Sequence, residues 1–352
     1  MVDRVEVFSE MILFSPDLFS DPLPLFNPLQ KSTEEELTEF FVENYSHSGA
    51  LKNIMRCDGI GINSRNFRVQ TLESSYVLKQ VDKPFKEVKR VVDFAVWLHQ
   101  QGAPVPAIFP NNKNQLLTNM GSSVCYMMED IAGTFLSGDQ AELPAIRKLF
   151  ESLYKFQEPG LSVVPDRVLP VLCDDDYAVL QEFEKKLNNA DELLGIKEAM
   201  CLVHRWGEIK DLVKNHLTDL KNNPLKSGVM HIDLHPHNIM LYQNKERAIA
   251  LDLDSFQVCS PEVALGFGFF KILRQMGVRA CSLRQLHDIK RDLITFDKPT
   301  AVTPSMLLAR SEILRRIAVI LRLSLNGDKR WNHILPVHLR ALSEIEILLS
   351  FN

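Results

Sequence analysis

Apolar and polar positions alternate in short runs through the first third of the chain. The segments NFRVQTLE and SYVLKQV have the two-residue period of strands and flank a polar break, so they predict a hairpin. LLTNMGSSVCYMMEDI predicts a second pair of strands, which PVPAIFP enters in an extended conformation. Two helices are predicted beside these strands, one at about 33–46 and one that begins at Pro84 and stops at Gly102.

Helical periodicity dominates after Leu143, and the apolar spacing predicts seven helices there. Their ranges are 143–157, 174–193, 196–222, 261–277, 283–294, 304–325 and 333–350. A segment of different character, residues 229–256, interrupts them with short apolar runs around a polar centre. The whole pattern predicts an α+β fold of two lobes: an N-terminal extension (1–32), a small antiparallel-sheet lobe (33–128) and a mostly helical lobe (129–352).

Length and composition agree with two lobes. The 352 residues exceed the size at which a single core usually stops growing, about 250–300 residues. A formal charge of −5 argues against a nucleic-acid partner, since such proteins carry clustered positive charge. No apolar stretch is long enough to predict a membrane helix. The six cysteines include no CxxC pair, so a reducing, cytoplasmic location is expected.

The segment HIDLHPHN, residues 231–238, is the densest chemical region of the chain. Its spacing allows Asp233 to face a substrate while Asn238 faces a cation, and Asp252 follows in the run AIALDLDSF. Amide and carboxylate oxygens suit Mg²⁺, which takes its remaining ligands from phosphate and water. A rival interpretation groups the three histidines of the segment with Asp233 as a zinc site. His231 has a simpler role in the favoured interpretation, in which its ring binds backbone around the loop.

HIDLHPHN followed by LDLD resembles the catalytic segment of the aminoglycoside phosphotransferase and choline kinase-like family, whose members are relatives of protein kinases. The resemblance extends over roughly 55–275. GIGINSRNFRV resembles the family's nucleotide-covering loop and first hairpin, and YVLKQV the strand with a phosphate-contacting lysine. WLHQQGAPVPAI and YMMEDIAG resemble the end of the small lobe's helix and the hinge between lobes. The resemblance therefore implies a protein kinase-like fold.

The resemblance also implies a function, phosphoryl transfer from ATP (or GTP) to a hydroxyl group with the help of Mg²⁺. Asp233 is expected to accept the hydroxyl proton, Asn238 and Asp252 to hold the metal, and Lys79 to contact the phosphates. The remaining nucleotide contacts that it implies are Gly59, Gly61 and Ser64 in the covering loop and Met128, Glu129 and Ile131 in the hinge.

Lys79 should have an acidic partner on the helix that follows Pro84, where Glu87 and Asp93 are the candidates. Val88, Val92 and Leu98 lie on the apolar face of this helix. Glu87 borders that face and Asp93 points nearly opposite, so Glu87 is the expected partner.

Several departures from protein kinases favour a small-molecule acceptor such as an amino-alcohol, sugar, amino acid or aminoglycoside. Ile232 replaces the arginine that follows the histidine in protein kinases, and Asp252-Leu253-Asp254 replaces Asp-Phe-Gly. The interval to the next helix is too short for an activation loop. A protein kinase and a nucleotide-binding regulatory module without turnover are the rival functions. Three arginines, Arg315, Arg316 and Arg322, are expected on the solvent face of their helix.

Overall fold

A computed structural model describes residues 25–27, 31–58, 64–162, 171–277, 288 and 306–349. Seven of its strands form one antiparallel sheet with the order β1-β2-β3-β4-β7-β5, and β6 pairs with β7. These strands are β1 (Leu25–Asn27), β2 (Leu51–Asp58), β3 (Ser64–Thr71), β4 (Ser75–Val81), β5 (Ile108–Phe109), β6 (Thr118–Met120) and β7 (Ser123–Glu129). The sheet contains both predicted strand pairs, β3–β4 and β6–β7.

Helices cover this sheet in a way that the sequence pattern explains. Helix α1 (Lys31–Tyr45) buries Phe41 and Tyr45 against β2, β3 and β4. Helix α2 (Phe85–Gln100) begins directly after Pro84, as predicted. Its first half buries Val88 and Val92 in the core of the sheet region.

The second half of α2 packs into a different core. Its Phe94 and Leu98 belong to the apolar cluster of the helical region, and the Phe94 ring meets Phe256 edge-on at 5.6 Å. A single helix therefore contributes to both cores. The boundary at residue 128 stays a prediction, because α2 lies before it in the chain and still packs beyond it.

The helical region surrounds α8 and α9, which pack against each other. Its helices are α3 (Leu143–Tyr154), α4 (Asp174–Glu184), α5 (Ala190–Leu194), α6 (Ile196–His204), α7 (Trp206–Asn222), α8 (Pro261–Gly277), α9 (Met306–Leu325) and α10 (Leu335–Leu349). Among the described residues, no helix is long and apolar enough to cross a membrane.

Two small sheets pack into the apolar cluster of the helical region and carry the chemical segment. Strand β9 (Gly228–His231) pairs with β12 (Phe256–Cys259). Strand β10 (Ile239–Tyr242) pairs with β11 (Arg247–Ala250) on one side and with β8 (Thr134–Phe135) on the other. The eight residues between Asp252 and the start of α8 at Pro261 thus include a paired strand, which leaves no room for an activation loop.

The structure corrects some predicted elements. The helix predicted over 174–193 is two helices, and the one over 196–222 is interrupted at Arg205. Strand β2 was not predicted, because LKNIMRCD lacks a regular alternation, and among its residues 51–57 only Ile54 is deeply buried. The helix predicted at 283–294 lies outside the described residues, apart from position 288.

Candidate active site

His231 closes strand β9 and fixes the loop that follows it. Its Nδ1 accepts the backbone N–H of Asp233 at 3.2 Å, and its Nε2 donates to the carbonyl of Leu251 at 2.7 Å. Burial lowers the pKa of His231, so the ring is neutral with its proton on Nε2. The ring therefore joins the segment of Asp233 to the segment of Asp252, as expected from the sequence.

Asn238 and Asp252 lie at the same end of the β10–β11 hairpin. Ile239 faces Ala250 in that hairpin, and the backbone N–H of Leu251 donates to the carbonyl of Asn238 at 2.8 Å. The Asn238 side chain donates its amide N–H to the Asp233 carbonyl at 2.9 Å. Since the amide nitrogen is used in this way, its oxygen is the atom available to a cation.

Asp252 has a left-handed backbone conformation (φ 53°, ψ 62°), which few non-glycine residues adopt. Its Oδ2 accepts the hydroxyl of Ser255 at 2.7 Å, and its Oδ1 contacts Lys79 Nζ at 2.9 Å. Asp254 contacts the same Nζ at 3.1 Å. Lys79, on β4, is buried with 3% of its side chain exposed. We call Lys79, Asp252 and Asp254 the lysine cluster.

Electrostatics keep Lys79 and Asp252 ionised. Burial alone would lower the pKa of Lys79, but Asp252 and Asp254 outweigh it and raise that pKa well above its usual value. Burial would raise the pKa of Asp252, yet Lys79 and the Ser255 hydroxyl lower it to about 2. One buried cation thus faces two carboxylates, and the group has a net negative charge.

Asp233 has the opposite environment. Its Oδ1 accepts from Lys271 Nζ of α8 at 2.5 Å and from an Nη of Arg316 on α9 at 3.3 Å. Burial would raise the pKa of Asp233, but the two cations hold it well below its usual value, so the side chain is a carboxylate. Both cations also lie over the Phe267 ring, 4.6 and 4.4 Å from its centroid. We call Asp233, Lys271 and Arg316 the aspartate cluster.

A second layer supports the aspartate cluster. The Nε of Arg316 contacts Glu312 at 2.8 Å, and Arg315 contacts the same carboxylate at 2.7 Å. Arg274, one turn after Lys271, contacts Glu344 at 2.6 Å. Arg315 and Arg316 therefore point into the protein rather than to solvent, which corrects the sequence-based expectation, because Glu312 one turn earlier on α9 and Asp233 attract them. Arg322 is half-exposed and pairs with Asp176.

The predicted hinge comprises the end of β7 and the residues that follow it. Met128 pairs in register with Val77 and with Ile108, and Glu129 N donates to the Ala107 carbonyl at 2.9 Å. Between Glu129 and Ile131, the carboxylate of Asp130 binds Arg68 and Ser75, at 2.8 and 2.6 Å.

The other predicted nucleotide residues have different outcomes. Gly59 and Gly61 lie outside the described residues, and Ser64 is the first residue of β3, opposite Val81. Glu87 is exposed near the start of α2 and does not contact Lys79, so the predicted pair is wrong. The reason is that Asp252 and Asp254, which lie between β11 and β12, already contact the lysine. Asp93 pairs with Lys89 on the surface of α2.

The histidine-rich zinc site is also wrong. In the part of the chain that the structure describes, no three His, Cys, Asp or Glu side chains are grouped to hold a metal. Both ring nitrogens of His231 are already bonded, and His235 Nδ1 accepts the N–H of His237 at 3.3 Å. Mg²⁺ is a better fit, because it needs only a few protein oxygens, and Asn238 and Asp252 offer them at one end of one hairpin.

Sequence reasoning did not find the two cations of the aspartate cluster. Lys271 stands alone in the apolar run VALGFGFFKIL, and a lone charge in a buried helix is a signal for an internal partner. Asp254, to which sequence reasoning also assigned no role, is a partner of Lys79.

Comparison with known protein families identifies the family of this chain. The model of the phosphotransferase enzyme family (APH) matches residues 58–258, more than half of the chain. The chain belongs to that family. No curated protein sequence matches it.

Solved structures share the fold over nearly the whole chain. A spectinomycin phosphotransferase in complex with ADP and spectinomycin superposes with a TM-score of 0.61 at 12% identity, covering 92% of this chain and 99% of its own. Choline kinase from Streptococcus pneumoniae gives 0.56 at 12% identity (91% and 100%). A microcompartment-associated aminopropanol kinase gives 0.57 at 14% identity (91% and 98%). The bilobal, protein kinase-like α+β fold predicted from the sequence is thus confirmed.

Proposed function

We propose that this protein transfers the γ-phosphoryl group of ATP to a hydroxyl group of a small molecule, with Mg²⁺ as the metal. GTP is the alternative nucleotide. The observation that carries the proposal is the convergence of Lys79, Asp233, Asn238 and Asp252, which His231 and the β10–β11 hairpin hold together. Phosphoryl transfer needs positioning and charge stabilisation more than covalent chemistry, and this arrangement supplies both.

Each side chain has a distinct role in the proposal. Asp233 orients the acceptor hydroxyl and takes its proton as the oxygen forms a bond to the γ-phosphorus. The bond from that phosphorus to the bridging oxygen breaks, and ADP leaves. Lys79 binds the non-transferred phosphates, and its carboxylate partners keep it charged for this purpose.

Asn238 and Asp252 would hold Mg²⁺ through hard oxygen atoms, and the ion would neutralise charge on the phosphates. Met128, Glu129 and Ile131 would line the base pocket, where the carbonyl of Glu129 and the N–H of Ile131 pair with the base. Gly59 and Gly61, together with Ser64 at the start of β3, would cover the phosphates.

A small hydroxylated acceptor is favoured over a polypeptide for two reasons. The segment between Asp252 and α8 contains the paired strand β12 where protein kinases have an activation loop. The names of the structural relatives refer to spectinomycin, choline and aminopropanol, which are small hydroxylated compounds.

The test measures phosphate transfer from ATP in the presence of Mg²⁺ to a panel of sugars, amino-alcohols, hydroxy acids and aminoglycosides. Asp233→Asn should lower kcat by about 100- to 10,000-fold, the usual contribution of a positioned base. Asp93→Asn removes a surface carboxylate of α2 and should keep full activity. Nucleotide binding without turnover on any acceptor would instead favour the regulatory module.

A further inference from the structure

We propose that the acceptor carries an anionic group, a carboxylate or a phosphate monoester, and that Lys271 and Arg316 bind it. This inference rests on the proposed function and specifies the acceptor class. The observation behind it is the contact of both cations with Oδ1 of Asp233, the side chain that must meet the acceptor hydroxyl.

The charges around Asp233 do not balance. Glu312 is shared by Arg315 and Arg316, and Lys271 is paired with Asp233. Two carboxylates therefore face three cations, which leaves one net positive charge beside the acceptor position. The neighbouring group adds no negative charge to this count, since Arg274 and Arg340 share the one carboxylate of Glu344. A partly buried site with an excess cation attracts an anion and repels an ammonium group.

Both cations contact the same oxygen of Asp233. Lys271 Nζ and an Nη of Arg316 lie 2.5 and 3.3 Å from Oδ1. An anionic group on an acceptor that meets Asp233 would give Lys271 and Arg316 a second partner.

The geometry of the cations suits a bound anion. The guanidinium of Arg316 is held by Glu312 through Nε and by the face of Phe267, which also lies below Lys271. The two groups are therefore oriented before an acceptor arrives, which lowers the entropy cost of binding it. Lys271 and Arg316 keep 18% and 23% of their side chains exposed, so an acceptor beside Asp233 can reach them.

The experiment compares four probes with the full-length protein: glycerate, glycerol 3-phosphate, glycerol and 3-aminopropane-1,2-diol. They share a three-carbon hydroxylated skeleton and differ at one terminal group. Melting temperatures are measured with saturating ADP and Mg²⁺, so that the nucleotide site is filled before a probe is added. We expect glycerate, glycerol 3-phosphate or both to raise the melting temperature, and the other two to have no effect. The two anionic probes distinguish a carboxylate from a phosphate acceptor.

Variants connect this effect to the two cations. Lys271→Met and Arg316→Gln should abolish the shift caused by the anionic probes and raise the KM of an anionic acceptor about 10- to 100-fold, with the KM for ATP unchanged. Arg316→Lys keeps the charge and should retain the preference for anions. Lys221→Met, which removes an exposed lysine paired with Asp174, is the matched control and should behave as wild type.

Three results would overturn the inference. The first is that the amine probe binds or reacts at least as well as the anionic probes, and the second is that neither anionic probe shifts the melting temperature. The third is an equal loss of kcat for charged and neutral acceptors in Lys271→Met, which would assign the lysine to the transferred phosphoryl group. If ADP and Mg²⁺ themselves cause no shift, the proposed function fails and this inference fails with it.

Discussion

The lysine cluster and the aspartate cluster are built from the same kinds of side chain in opposite proportions. In the lysine cluster one cation, Lys79, contacts two carboxylates. In the aspartate cluster one carboxylate, Asp233, contacts two cations. The first arrangement has a surplus of negative charge and suits a metal ion, whereas the second has a surplus of positive charge and suits an anion.

In the proposed function, this difference separates the part of the site that would hold the metal and the nucleotide phosphates from the part that would meet the acceptor. His231 joins the two parts through its two ring nitrogens. The position of one cluster relative to the other is therefore fixed. Their cations nevertheless belong to different regions, because Lys79 is on the sheet and Lys271 and Arg316 are on helices. Substitutions in each cluster should have different effects, and these effects can be measured.

The largest difference is expected between Asp252→Asn and Asp233→Asn. Asp252→Asn should lower phosphate transfer about 100- to 1,000-fold, because it removes a carboxylate proposed to hold the metal. It should also abolish the Mg²⁺-dependent part of the rise in melting temperature caused by ADP. Asp233→Asn should keep that rise while it loses turnover. If both variants lose it equally, the two clusters do not have separate functions.

A smaller difference should appear in stability. Lys79→Met leaves Asp252 and Asp254 without their shared cation and should lower the free energy of unfolding by about 1–3 kcal/mol. Lys271→Met leaves Arg316 to pair with Asp233, so we expect a change of at most about 1 kcal/mol. Urea denaturation of the two variants at pH 7 measures this difference, and a larger loss in Lys271→Met would contradict it.

The aspartate cluster should also be sensitive to acid through His338. Burial, together with Arg316, Lys271 and Arg274, lowers the pKa of His338 to about 3, and Glu312 opposes this only in part. The folded protein therefore binds fewer protons than the unfolded chain below about pH 6.5. Its free energy of unfolding decreases as the pH is lowered through this range.

Between pH 7.5 and pH 5.5, His338 should cost about 1.4 kcal/mol of unfolding free energy. His338→Gln should reduce the acid-induced loss by that amount, as measured by urea denaturation at both pH values. Some loss will persist, since His216 and His235 have pKa values lowered to about 4 and 3. If His338→Gln loses as much unfolding free energy between the two pH values as the wild type, groups other than His338 cause the acid sensitivity.

The smallest effect concerns the partner of Lys79. Glu87→Gln should change stability by at most about 0.5 kcal/mol and leave nucleotide binding intact, because Glu87 is exposed on α2. Asp254→Asn should weaken the hold on Lys79 and raise the KM for ATP about tenfold. Steady-state kinetics measure the KM for ATP of both variants. A raised KM in Glu87→Gln and an unchanged KM in Asp254→Asn would instead identify Glu87 as the functional partner.

The sequence predicted best those parts of the site that are local in the chain. His231, Asp233 and Asn238 lie within one loop, and their spacing alone indicates their geometry. Lys271 and Arg316 follow Asp233 by 38 and 83 residues, so their contact with it depends on how α8 and α9 pack. The preference for Glu87 failed for the same reason. A helical wheel identifies the buried face of α2. It carries no information on Asp252 and Asp254, which are distant in the chain and contact Lys79 in the fold.

Helix α2 has a consequence for how the molecule unfolds. Its first half buries Val88 and Val92 with the sheet, and its second half buries Phe94 and Leu98 with the helical region. If either region unfolds, the apolar residues of α2 that it covers become exposed. The other region is then destabilised too, because it packs against the same helix. We therefore expect heat or denaturant to melt the chain in one cooperative transition despite its two cores.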